Sequence, residues 1–154
     1  MKLAEALSLR AAATRRIGQV SERIQASARY QEGEEPAEDA AALLHEAEST
    51  LDELEALMAR INRTNAAARV DSGVVLTDAL ARRDALRLRH SVLTAAADAA
   101  AGHRGYARQL RSELRMLTAL PVAELRARAD AVARELRELE VSVQRANWEV
   151  DLLD

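Results

Sequence analysis

The sequence predicts a mainly α protein, a bundle of long antiparallel helices with coiled-coil-like packing, and three observations carry that prediction. Val122, Leu125, Ala129, Val132, Leu136, Leu139, Val143, Ala146, Val150 and Leu153 recur at alternating three- and four-residue spacings. That rhythm draws one narrow apolar stripe along a helix and suits knobs-into-holes packing against another helix. The same rhythm runs through Ala40, Leu44, Ala47, Leu51, Leu54, Met58, Ile61 and Asn65. Finally, the 154 residues include no Phe, and Tyr30, Tyr106 and Trp148 are the only aromatic side chains. The core must therefore be aliphatic, which favours close helix contacts over a wide β-sandwich. A chain of this length is expected to form a single helical domain over residues 1–154.

Each element can be justified in order. Helix one is expected from Leu3 to Ala28, with Leu3, Leu7, Ile17, Val20 and Ile24 on one broad face. Gly33 and Pro36 break the pattern after Tyr30. Helix two begins after Pro36, with Glu38 and Asp39 in a first turn where the helix dipole favours negative charge. Asn65 on its otherwise apolar seam is unusual, because one buried Asn can fix register and oligomer state.

Asp71-Ser72-Gly73 between β-branched flanks reads as a tight turn, so residues 68–76 are a candidate β-hairpin. Thr77 is placed to cap helix three, which should run to about Ala101. That helix carries two adjacent stripes, one of Ala81, Ala85, Leu88, Val92 and Ala95, the other of Leu86, Leu93 and Ala97. Two stripes imply burial over a wide arc and a central position. Residues 106–120 fit either a short helix or a strand, and Pro121 then opens the final helix.

Composition excludes several classes of function. Hydrophobic residues make up 49% and charged residues 31%, the balance of a chain that folds in water. Without cysteine there are no disulfides, thiolate metal sites or cysteine nucleophiles. The first residues carry charge where a signal peptide would be apolar, and no uncharged apolar run reaches membrane-spanning length. A cytoplasmic location is expected, with no membrane partner. His45, His90 and His103 lack metal-ligand spacing, and no phosphate loop, catalytic triad order or dinucleotide fingerprint is present. The expectation is no metal and no cofactor.

Charge is unevenly placed. Glu32 to Glu55 holds ten acidic residues and no Lys or Arg, whereas Arg82 to Arg115 holds eight Arg against three acidic residues. Complementary rims between helices or subunits explain this most simply. The alternative is a nucleic-acid face made of Arg82, Arg83, Arg87, Arg89, Arg104, Arg108, Arg111 and Arg115. The net charge of −3 and the scarcity of aromatic residues for base stacking, with Tyr106 the one among these arginines, oppose that alternative.

One polar constellation stands near the apolar seams: Asn62, Arg63 and Asn65 at the end of helix two, then Asp78, Arg82, Asp84 and Arg87 on helix three. Asp78–Arg82 and Asp84–Arg87 have the spacing of helix-surface ion pairs. The set reads first as a polar network that fixes helix register. Alternatively it lines a small-ligand site, with Trp148 joining from the final helix. Trp148 itself is expected to pack against a neighbouring helix or subunit.

Gln31-Glu32-Gly33 with Pro36, Ile61-Asn62-Arg63-Thr64-Asn65, Leu76-Thr77-Asp78-Ala79-Leu80 with Arg83-Asp84, and Asn147-Trp148 together resemble the signatures of a bacterial helical family sometimes labelled septicolysin-like. The resemblance spans nearly the whole chain. It implies a strand over residues 112–118, pairing with the 68–76 hairpin, and no established activity. The function these readings favour is a helical-bundle protein that self-associates as a homo-oligomer through its heptad helices, in a scaffold, adaptor or accessory role, with no catalytic signature.

Overall fold

The computed structural model describes residues 1–102 and 116–154, and its four helices are α1 (Leu3–Ser27), α2 (Ala40–Ala67), α3 (Leu76–Ala100) and α4 (Val122–Glu149). The fold is a mainly α bundle, and among the described residues no strand is formed. The chain divides into two compact units. One comprises Met1–Arg69 with Ala146–Asp154, the other Val70–Arg145.

In the first unit, α1 and α2 form an antiparallel hairpin. Val20, Leu43 and Ala47 make its buried cluster, with Ile24 packed beside them. Two ion pairs fix the direction: Arg16 meets Glu46 at 3.1 Å, and Arg23 Nε donates to Glu38 at 2.9 Å. Helix α2 begins at Ala40, later than the sequence suggests, because Asp39 is its N-cap and Glu38 precedes it rather than both lying in its first turn. The Asp39 carboxylate accepts from the Ala41 and Ala42 N–H groups at 3.0 Å each, a cap worth about 1 kcal/mol.

The buried face of α2 is offset from the expected seam. Leu43, Ala47, Thr50, Ile61 and Thr64 are buried, with Leu54 and Leu57 partly so. This too is a three-four rhythm, and it shares Ala47, Leu54 and Ile61 with the expected one. Helix α1 packs on the stripe containing Leu43. Leu44, Leu51 and Met58 are left at 50%, 47% and 42% exposure.

The ends of this unit are joined. Leu3 N–H donates to Val150 O at 3.0 Å and Leu152 N–H to Met1 O at 2.9 Å, making an isolated antiparallel bridge between Lys2 and Asp151. Lys2 Nζ adds Glu149 O at 2.9 Å and the Asp151 carboxylate at 3.0 Å. Because α4 ends at Glu149, the heptad register lapses there: Leu152 is buried in place of the expected Leu153.

In the second unit, the tight turn read from Asp71-Ser72-Gly73 is present, but no strand extends from it, so residues 68–76 form a turn and not a strand-bearing hairpin. Helix α2 runs to Ala67 and α3 starts at Leu76, which leaves room only for a tight turn. Val70 N–H donates to Val74 O at 2.9 Å and Gly73 N–H to Val70 O at 2.8 Å. Gly73 sits at φ 80°, where any side chain would be strained. Residues 116–118 have no regular structure, while 112–115 and most of the helix-or-strand segment at 106–120 lie outside the described residues.

Helix α3 starts before Thr77, with Val75 as an extended N-cap residue and Leu76 fully buried. Burying Leu76 outweighs the modest gain from a threonine cap. Leu93 and Ala97 of α3 pack on Leu125 and Ala129 of α4, with Ala96 and Val132 alongside. The expected α4 seam is inward-facing: Leu125, Ala129, Val143 and Ala146 are buried, and Val132, Leu136 and Leu139 partly so. The expectation of two buried stripes on α3 is corrected. Leu86, Leu93 and Ala97 are buried, whereas Leu88 and Val92 are 70% and 67% exposed and Ala81 and Ala85 are exposed with them. One helix partner covers one stripe, so the second is left to solvent.

Candidate functional site

The polar constellation read from the sequence is divided between the two units, and its members bond within their own unit. In the first, Arg63 Nε donates to Asp154 O at 2.9 Å. Arg60 donates to Leu153 O at 3.1 Å and to the Asp154 side chain at 2.9 Å. Asn62 is exposed and Asn65 half-buried. The buried polar position is the neighbour, Thr64, whose hydroxyl donates to Arg60 O at 2.8 Å and accepts from Leu153 N–H at 2.9 Å. Trp148 is 65% exposed.

In the second unit the arginines of α3 turn toward carboxylates of α4. Arg82 Nε donates to Glu135 at 3.0 Å and Arg87 Nη2 to Glu140 at 2.5 Å. The expected Asp84–Arg87 pair is present at 3.8 Å, and Arg83 also engages Asp84, through Nε at 2.9 Å and Nη2 at 2.8 Å. Arg82 takes Glu135 as its partner, and Asp78 is left exposed without a bond among the described residues. Asp71 holds the 70–74 turn to α4 by accepting from Arg145 at 2.9 Å and Ser142 Oγ at 3.2 Å. Glu135 and Glu140 were not singled out from the sequence. They flank the Leu136–Leu139 step of the seam, the rim positions where interhelical ion pairs form.

Arg83, Arg87, Arg137, Glu140, Val141 and Gln144 line an open groove of about 570 Å³ within this unit. Its chemistry is that of an ion-pair lattice. Arg83 and Arg87 already hold carboxylates, and only Arg137 has no acidic partner among the described residues. The pairs are substantially exposed, so each contributes at most about 1 kcal/mol and acts mainly on register. Among the described residues no group of three His, Asp or Glu side chains could hold a metal ion. His45 is exposed, His90 half-buried, and His103 lies outside the described residues.

Two carboxyl groups of the first unit are held by basic partners. The Glu38 carboxyl is held below its ordinary value by the hydrogen bond from Arg23, and the same contact raises the Arg23 guanidinium. Asp151 is lowered by its hydrogen bond from Lys2. These are structural contacts that join α1 to α2 and Lys2 to the tail.

The most distinctive surfaces are therefore two apolar stripes at heptad spacing. On α2, Leu44, Leu51 and Met58 alternate with Glu48, Asp52 and Glu55, none of which has an ionic or hydrogen-bonded partner among the described residues. On α3, Ala81, Ala85, Leu88 and Val92 run beside Arg89, which also has none.

Fold and site together define a protein of paired antiparallel helices, tied by rim ion pairs and bearing open heptad stripes. The chain belongs to a family of unknown function, DUF6847, whose model matches residues 10–152. It is also similar to the crystal structure of a functionally unknown conserved protein from Corynebacterium diphtheriae, at 37% identity over 99% of each chain and a TM-score of 0.90. No curated protein matches the chain in sequence.

Proposed function

We propose that this is a cytoplasmic scaffold or adaptor protein that works by self-association through its heptad helices. The observation that carries the reading is the α2 stripe, where Leu44, Leu51 and Met58 stand one heptad apart and about half exposed. Singly scattered apolar residues on a surface are ordinary, but large residues in register along one face are the pattern of a helix awaiting a partner. The second stripe on α3 supports the same reading. No helix among the described residues is long and apolar enough to cross a membrane. The septicolysin-like resemblance implies no activity and adds nothing to this function.

A nucleic-acid role for residues 82–115 is disfavoured by the pairing of Arg82, Arg83 and Arg87 with carboxylates, which occupies the groups a phosphate would need. Arg104, Arg108, Arg111 and Arg115 lie outside the described residues. The same ion pairs argue against a small-ligand site built on Arg82, Asp84 and Arg87.

Sedimentation equilibrium at micromolar concentration tests the proposal. The native chain should be oligomeric, and Leu51→Asp should shift it toward monomer with unchanged helical circular dichroism. A native chain that sediments as a monomer throughout overturns it.

A further inference from the structure

Resting on the self-association proposed above, we infer that the α2 stripe of one copy receives the α3 stripe of a second copy. Charge selects this pairing over the two symmetric ones. Two α2 stripes face to face would bring Glu48, Asp52 and Glu55 against their own counterparts, with no cation on either stripe to separate them. Residues 78–92 of α3 carry Arg82, Arg83, Arg87 and Arg89 against Asp78 and Asp84, a net positive stretch that two α3 stripes would set against its own like. Like charges opposed across an interface cost affinity and suppress the wrong partner. An α2 stripe against an α3 stripe instead sets an unpaired acidic rim against the unpaired guanidinium of Arg89.

Shape agrees with charge. The α2 stripe presents large residues, Leu44, Leu51 and Met58, while the α3 stripe opens with the small Ala81 and Ala85 before Leu88 and Val92. Large side chains need shallow places opposite them for two helices to approach closely, and alanine provides them. Guanidinium groups at the rim can take carboxylates in a bidentate fork, which fixes orientation as well as adding attraction.

The absence of cysteine from the chain makes a direct test available. Leu51→Cys and Leu88→Cys chains are prepared separately, mixed in equal amounts with the full protein otherwise intact, and oxidised gently. The mixed disulfide should form in roughly tenfold excess over either self-linked species, because apposed sulfurs react at a high effective concentration. Independently, Arg89→Glu should weaken association roughly tenfold, and a chain bearing Glu48→Arg should recover it when mixed with the Arg89→Glu chain. Dominant self-linking of Leu51→Cys, or an oligomer that gives no mixed disulfide and no charge-reversal rescue, overturns this pairing while leaving self-association standing. A native chain that is monomeric by sedimentation removes self-association itself. The two failures are thus told apart.

Discussion

Replacing Thr64 by valine should destabilise the protein by about 1 kcal/mol more than the same replacement at Thr50. The two threonines are a matched pair. Both are buried on α2, and each donates its hydroxyl to the carbonyl four residues earlier, Glu46 O or Arg60 O, at 2.8 Å. Valine keeps the shape, and its helix propensity is nearly that of threonine. Losing the back-bond costs little, because such bonds add nothing the helix carbonyl needs. The difference is the second bond at Thr64, where the hydroxyl accepts from Leu153 N–H at 2.9 Å and ties the tail to α2. An orphaned donor costs about 1–3 kcal/mol when buried. Leu153 is partly exposed, so water can reach its amide and the lower end applies. Urea denaturation of the two variants gives the difference from the shift in midpoint at constant slope, and amide exchange should show Leu153 losing protection only in Thr64→Val. Equal destabilisation of the two variants, or an unchanged Leu153 exchange rate, would refute the reasoning.

Two further outcomes follow from single side chains. Ser27 Oγ is buried without a hydrogen-bond partner, so Ser27→Ala should raise stability by about 1 kcal/mol, measured by urea midpoint, since it removes an unsatisfied polar group and improves helix propensity. Glu38 should titrate below the ordinary glutamate value of about 4.3 when followed by carboxyl carbon shifts, and lose that depression in Arg23→Met. Because its folded value is the lower one, its contribution to stability is full above about pH 4.3 and is lost as pH falls through the folded value. A titration midpoint at or above the ordinary value in the native chain would contradict this.

The helices are legible because heptad rhythm and helix breakers agree along the chain, while the caps at Asp39 and Val75 are not where local chemistry suggests. Helix one was expected to begin at Leu3 and does, and the α4 seam from Leu125 to Ala146 is inward-facing as its spacing requires. What sequence could not decide was which of two overlapping rhythms is buried. On α2 the Leu43 and Leu44 stripes share Ala47, Leu54 and Ile61, and only the position of α1 chooses between them. That choice moves the buried polar residue from Asn65 to Thr64. The α3 arginines are legible as ion-pairing residues, but the partners of Arg82 and Arg87 are Glu135 and Glu140, whose importance depends on α4 lying alongside. The bridge between Lys2 and Asp151 joins opposite ends of the sequence and carries no local signal at all.

A core made of alanine and leucine explains why so much apolar surface stays open. Alanine-rich helices come close together, so each contact is narrow and one neighbour covers about one stripe. A helix with two stripes then needs two neighbours. Helix α2 meets α1 along Leu43 and Ala47 and retains the Leu44–Met58 stripe, and α3 meets α4 along Leu93 and Ala97 and retains the Leu88–Val92 stripe. The ion pairs follow the same division. Arg16, Arg23, Arg82 and Arg87 are spent on the rims of the contacts already made. Glu48, Asp52, Glu55 and Arg89 stand unpaired beside the stripes that are still open. Unpaired charge is not confined to these faces, since Asp78 and Arg137 lack partners among the described residues too, so it is the apolar stripes rather than the charges that mark what each helix leaves uncovered.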